Sequence, residues 1–158
     1  MFSIRTYNDT MCELKMAKRR LKLLQARRNE LWFKYFPITS KPKEIMVDGG
    51  KHDNDKMADY LYELHEIDIG IGMSLADEIK RLESNIKKLK ECLNYMTKTL
   101  SSMQGIEYQL YYEIVYNNRS ISKAVDIVAR KNNKDTQTIW KNYYRKIKKY
   151  VKNTVKIQ

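Results

Sequence analysis

The chain has 158 residues, 42% of them apolar and 32% charged, and its 31 basic and 19 acidic side chains leave a net charge of +12. That length holds one ordinary domain, or a small domain plus a helical arm, with a modest core, and excludes a large enzyme. Five glycines and two prolines are too few for a sheet-rich fold, whose tight turns consume both, so the expected class is all-α: long N-terminal helices, as a hairpin or coiled coil, followed by a C-terminal helix-turn-helix domain.

The first segment, residues 1–36, reads as one amphipathic helix. Its opening residues, Met1 to Tyr7, lack the apolar core of a signal peptide. From Asn8 to Tyr35, Met11, Leu14, Leu21, Leu24, Leu31 and Tyr35 recur at spacings of three, four or seven, as one helical face requires. Lys15, Lys18, Arg19, Arg20, Lys22, Arg27 and Arg28 make the other face basic. A solvated face beside an acidic partner helix explains this run, with a phosphate-contacting arm as the alternative. Residues 37–55 contain both prolines and the Gly49-Gly50 pair without any sustained period, the composition of a flexible linker.

Residues 56–103 read as a long broken helix. Met57, Leu61 and Leu64 open it, and Gly70 and Gly72 predict a kink or break, each costing a helix interior about 1 kcal/mol relative to Ala. Ser74 with Asp77 three residues later forms a capping-box pattern that restarts the helix. From there Leu75, Ile79, Leu82, Ile86, Leu89, Leu93, Met96 and Leu100 alternate at spacings of four and three, flanked by charge, as a coiled-coil seam does. Such a seam joins two copies of the chain in a homodimer or packs within one chain on the first helix; the sequence leaves both open. Cys12 and Cys92 have no partner at metal or redox spacing, which points to a reducing cytosol and no disulfide framework. The most apolar later stretch, Ile67 to Ala76, is too short to span a bilayer, so no membrane partner is expected.

Residues 104–158 carry the charge. From Arg119 to Gln158 there are twelve basic residues and two acidic ones, a net +10 of the chain's +12. Ile106, Leu110, Ile114 and Val115 mark a short helix, ended by Asn117-Asn118-Arg119. Ser120 caps a second, to Lys131, which turns Ile121, Ala124, Val125, Val128 and Ala129 inward. Asn132-Asn133-Lys134 forms the turn, with Asn133 able to take the left-handed conformation. Asp135 caps a long third helix, Thr136 to about Asn153, whose Ile139, Tyr143 and Ile147 are expected to face the core. Seven of the twelve tyrosines fall between Tyr108 and Tyr150; Tyr111, Tyr143 and Trp140 are read as core filling rather than as a stacking platform.

In a helix-turn-helix the first exposed residues of the second helix enter the major groove. Here these are Thr136, Gln137, Thr138, Lys141 and Asn142. Gln137 and Asn142 have the paired donor and acceptor that suits adenine, and Lys141 serves guanine or phosphate. Arg145, Lys146, Lys148 and Lys149 grip the backbone from the same helix. Arg119, Lys123, Arg130, Lys131 and Lys134 clamp phosphates from the preceding helix and turn. A basic, helical, aromatic-studded end of this kind is the footprint of a nucleic-acid reader, with double-stranded DNA as its partner.

Val128-Ala129, Asn133, Asp135-Thr136-Gln137-Thr138-Ile139 and Tyr143-Tyr144-Arg145-Lys146-Ile147 resemble the promoter-binding region 4 of sigma factors and the phage regulators that share it. The proline-containing linker followed by Asp55-Lys56-Met57-Ala58-Asp59 and a long helix is similar to a family of small phage proteins related to the ArpU and RinA type regulators of late genes. The resemblance implies a sequence-specific transcription regulator of a phage or mobile element, an activator of late genes in the cytoplasm of a bacterial host, with RNA polymerase as a second partner. The chain departs from the sigma pattern at Asn132 and Lys134, where an apolar pair usually flanks a turn glycine, and it shows no counterpart of the other sigma regions.

Chemistry beyond binding finds no support. His52 and His65 lack ligands at metal spacing, and Glu63, Glu66 and Asp68 near His65 read as a solvated face. No phosphate-cradling glycine loop and no nucleophile motif occur, so neither a cofactor, a metal nor an enzyme is expected. Two other classes fit the same features: a small terminase subunit that recognises DNA for packaging, and a helical protein-binding inhibitor or scaffold.

Overall fold

A computed structural model describes residues 6–37 and 53–156, and over these the chain is all-α apart from one short hairpin. Helix α1 spans Tyr7–Tyr35, matching the apolar period from Asn8 to Tyr35. Thr6 starts it: its hydroxyl accepts from the Asp9 N–H at 3.2 Å and donates to the Asp9 carboxylate at 2.6 Å, so the helix start satisfies itself. Helix α2 spans Asp53–His65, so residues 53–55, assigned to the linker by composition, are its first turn. The remaining linker expectation, apart from Pro37, falls on residues 38–52, outside the described residues.

Where the sequence predicts only a helix break at Gly70 and Gly72, the chain forms an antiparallel hairpin. Strand β1 (Ile67–Asp68) pairs with β2 (Met73–Ser74), Ile67 opposite Ser74 and Asp68 opposite Met73. Asp68 organises the turn. Its carbonyl accepts from the Ile71 and Gly72 N–H groups at 3.1 and 2.7 Å, and its carboxylate from the Gly70 N–H at 2.9 Å. Gly72 sits at φ 72°, a conformation that side chains with a Cβ resist. Helix α3 (Leu75–Ser101) follows directly, with the expected capping box: the Ser74 hydroxyl accepts from the Asp77 N–H at 3.1 Å and donates to the Asp77 carboxylate at 2.7 Å.

The described chain divides into two compact units whose boundaries cut through α1 and α3. This differs from the segments 1–36, 56–103 and 104–158, because two long helices each serve two cores. One unit is Ala17–Asn85. Within it Arg20 pairs with Glu78, and Lys34 and Tyr35 both bond Glu63. Trp32 stacks on Phe36 at 4.4 Å and meets Tyr60 edge-on at 5.2 Å. The basic face of α1 in this unit thus lies beside acidic residues of α2 and α3, as the solvated-face reading expects.

The other unit takes the described residues up to Met16 and those from Ile86 on. Its core gathers Cys92, Met96 and Met103 of α3 and its exit with Leu110, Tyr111, Ile114 and Val115, and with Val128, Ile139, Ile147 and Val151 further along. Along the α3 seam, Ile79, Ile86, Leu89, Leu93 and Met96 are buried and Leu75, Leu82 and Leu100 half-buried by this chain itself. Side chains already packed in a core cannot also interdigitate with a second copy, so the homodimeric coiled coil drawn through these eight residues gives way to packing within the chain.

Candidate nucleic-acid interface

Three helical stretches build the C-terminal part of the chain. Helix α4 (Gly105–Tyr111) runs on into one π-helical turn, Tyr112–Tyr116. The Asn117 N–H closes it on the Tyr112 carbonyl at 3.1 Å, and Asn118 then turns the chain at φ 52°. Helix α5 (Ile121–Lys131) starts at Ser120, whose hydroxyl accepts from the Lys123 N–H at 3.4 Å. Ala124, Val125, Val128 and Ala129 are buried, as predicted.

The turn after α5 is a Schellman motif. Asn133 holds φ 49°, the Lys134 N–H donates to the Ala129 carbonyl at 3.0 Å and the Asn133 N–H to the Arg130 carbonyl at 3.3 Å. This explains how the departures from the sigma pattern are accommodated. Asn132, in place of an apolar residue, donates to the Val128 carbonyl at 2.8 Å and to Gln109 at 2.9 Å, so its amide is satisfied while half-buried. Lys134 points to solvent, where its charge costs nothing.

Helix α6 (Thr136–Ile139) is capped by Asp135, whose carboxylate accepts from the Thr138 N–H at 3.2 Å. It passes through a second π-helical turn, Trp140–Tyr144, into α7 (Arg145–Lys156). The π turn inserts one residue into the helical register. After Ile139 the next core position is therefore Tyr144, 6% exposed, rather than Tyr143, and the buried face continues through Ile147 and Val151. Tyr143 is only half-buried, and Trp140, expected in the core, is 42% exposed. The shift of the core position from Tyr143 to Tyr144 follows from the π turn, whereas Trp140 stands before the inserted residue and is exposed by its own place on the helix.

Of the expected base readers, Thr136, Gln137, Lys141 and Asn142 are exposed, while Thr138 is half-buried and supplies the capped N–H. A shallow crease between α5 and α6 is lined by Ser122, Val125, Asp126, Thr136, Gln137 and Trp140. A second hollow shares Asp126 and Thr136 with it and is also lined by Arg130, Asn133 and Lys134, which places two of the expected phosphate contacts beside the first turn of α6. Asp126 is an acidic residue on this face that the sequence reading left unassigned. Trp140, expected in the core, stands exposed on the same face.

The basic residues divide into two groups. Glu113, whose side chain is 9% exposed, holds Lys131 at 3.3 Å and Arg119 at 3.6 Å and accepts from the Asn117 amide at 3.0 Å. The Asn117 hydrogen bond, followed by Lys131 and Arg119, keeps the Glu113 carboxyl below its ordinary value despite burial. Arg119 and Lys131 therefore brace the fold, and their assignment as phosphate clamps is secondary to that. Lys146 lies 3.5 Å from Glu107 and over the Tyr143 ring. Lys123, Arg130, Lys134, Arg145, Lys148 and Lys149 are exposed, Lys149 above the Tyr150 ring.

No family model matches this chain, and no curated protein or solved structure is similar to it. Among the described residues no three His, Cys, Asp or Glu side chains gather into a metal site, and no helix is long and apolar enough to cross a membrane.

Proposed function

We propose that the chain is a sequence-specific double-stranded DNA-binding transcription regulator of a phage or mobile element, an activator of late genes. Its working place is the cytoplasm of the bacterial host, and its second partner is RNA polymerase. One observation carries the reading: a Schellman turn at Asn133 and an Asp135 cap lead straight into a helix whose first turns expose Thr136, Gln137, Lys141 and Asn142. A major groove admits such a helix and offers adenine edges to its amides. The resemblance to sigma region 4 and the net +10 over residues 119–158 support the same assignment.

The test is binding to labelled promoter and intergenic fragments of the element that encodes the chain, across a salt series, with the triple variant Gln137→Ala, Lys141→Ala, Asn142→Ala as comparison. The wild type retains one fragment at salt that strips the rest. Two adenine contacts worth about 1 to 3 kcal/mol each make the triple variant lose at least roughly thirty-fold in preference. Release of every fragment at the same salt refutes sequence-specific reading.

A further inference from the structure

Trp140 is placed where a core residue has no reason to be. An indole is among the most favourable side chains to bury, yet this one stays 42% exposed on the turn that carries Gln137 and Lys141. Its ring is not loose. It leans on the buried Tyr144 at 4.7 Å with a tilt of 34°, and it forms one wall of the crease that also contains Val125, Thr136 and Gln137. The remaining surface is thus a fixed apolar wall three residues after the amide of Gln137, which by helical spacing places the two side chains on one face.

In the major groove the one apolar feature of a base edge is the 5-methyl group of thymine, and it stands beside the adenine N6 and N7 of neighbouring pairs. We infer that Trp140 is a specificity-determining residue that packs its indole on a thymine methyl while Gln137 pairs with an adjacent adenine, so that the target contains an A·T step at the position facing the α5–α6 crease. This inference rests on the DNA-reading assignment above. Asp126 sharpens it: a carboxylate in the same crease disfavours a phosphate there and leaves the space to base edges.

The experiment uses the full chain and the fragment it retains at the highest salt, prepared with each thymine singly replaced by deoxyuridine, which removes the methyl and keeps every hydrogen-bonding group. Wild type, Trp140→Ala and Trp140→Phe are compared, with thermal unfolding of each variant and with binding to an unrelated duplex. At one thymine the wild type should weaken about four-fold, the transfer value of one buried methyl-sized group. Trp140→Ala should bind thymine and deoxyuridine versions equally, Trp140→Phe should keep part of the difference, and binding to the unrelated duplex should not change.

Four results overturn the inference, and they differ. If no deoxyuridine position matters to the wild type, or if Trp140→Ala feels the same loss, a preferred fragment still exists and only the role of Trp140 falls. If Trp140→Ala merely lowers the melting temperature, the indole is a packing residue. If the wild type prefers no fragment at all, the DNA-reading assignment itself fails and takes this inference with it.

Discussion

Replacing Glu113 with Gln tests whether the C-terminal helices are held together by one carboxylate. Glu113 lies in the π-helical turn after α4, and its partners come from the following loop, Asn117 and Arg119, and from the end of α5, Lys131. Gln keeps the shape and one acceptor but removes the charge. Lys131 and Arg119 have side chains 60% and 42% exposed, so water and salt screen both pairs and each contributes less than about 1 kcal/mol. The shorter bond from Asn117, made to a nearly buried charge, adds a comparable amount. The expected loss at neutral pH is about 1 to 2 kcal/mol, a fall in melting temperature of roughly 2 to 8 °C for a chain of this size. The pH dependence follows from the direction of the shift. Folding lowers the Glu113 carboxyl below its ordinary 4.5, so its stabilisation is complete above that value and disappears as the pH drops through the lower folded value. Urea unfolding of wild type and Glu113→Gln between pH 7 and pH 3 should show two stabilities that converge in acid. A gap that stays constant to pH 3, or no gap at pH 7, refutes the assignment of Glu113 as the brace.

Two further substitutions address the register and the turn. Tyr144→Ala removes a buried ring and should cost about 3 to 5 kcal/mol in chemical denaturation, whereas Tyr143→Ala, half-buried, should cost clearly less; equal losses would mean the π turn is not there. Asn133→Gly should leave stability unchanged or raise it by a few tenths of a kcal/mol, and Asn133→Val should lower it by at least about 1 kcal/mol, because a β-branched residue resists φ 49°. Calorimetric melting separates the two, and a tolerated valine would show that the Schellman turn is not required.

Much of the fold was legible because period and caps act locally. The bounds of α1, the Ser74–Asp77 box, the Ser120 and Asp135 caps and the left-handed Asn133 all follow from residues within four positions of one another. The hairpin was missed because its strands are two residues long, too short for the alternation of Ile67, Ile69 and Ile71 to outweigh the helical pattern on either side. The π turns were illegible for a different reason. Nothing in the residues Trp140 to Tyr144 marks an extra residue per turn; the core of the unit decides it by accepting Tyr144 in place of Tyr143. Of the expected base readers, Thr136 and Gln137 precede the π turn and Lys141 and Asn142 lie inside it, and all four are exposed.

Charge decides which basic surface is available to a polyanion. Residues 7–35 carry eight basic and three acidic side chains, yet Arg20 and Lys34 are paired within their own unit to Glu78 and Glu63. The partners come from a stretch, residues 53–78, that holds eight acidic residues and one lysine. Two of the eight cations of α1 are therefore met by opposite charge inside their own unit. Residues 119–158 contain two acidic residues, of which Asp135 caps α6 and Asp126 lines the crease, while Glu113 engages Arg119 and Lys131 and Glu107 engages Lys146. Lys123, Arg130, Lys134, Arg145, Lys148 and Lys149 remain exposed, in the unit whose α6 turn also presents Gln137 and Trp140 to solvent. For the proposed function, counterion release would draw on cations without a neighbouring carboxylate, and Lys123, Arg130, Lys134, Arg145, Lys148 and Lys149 are exposed in this unit.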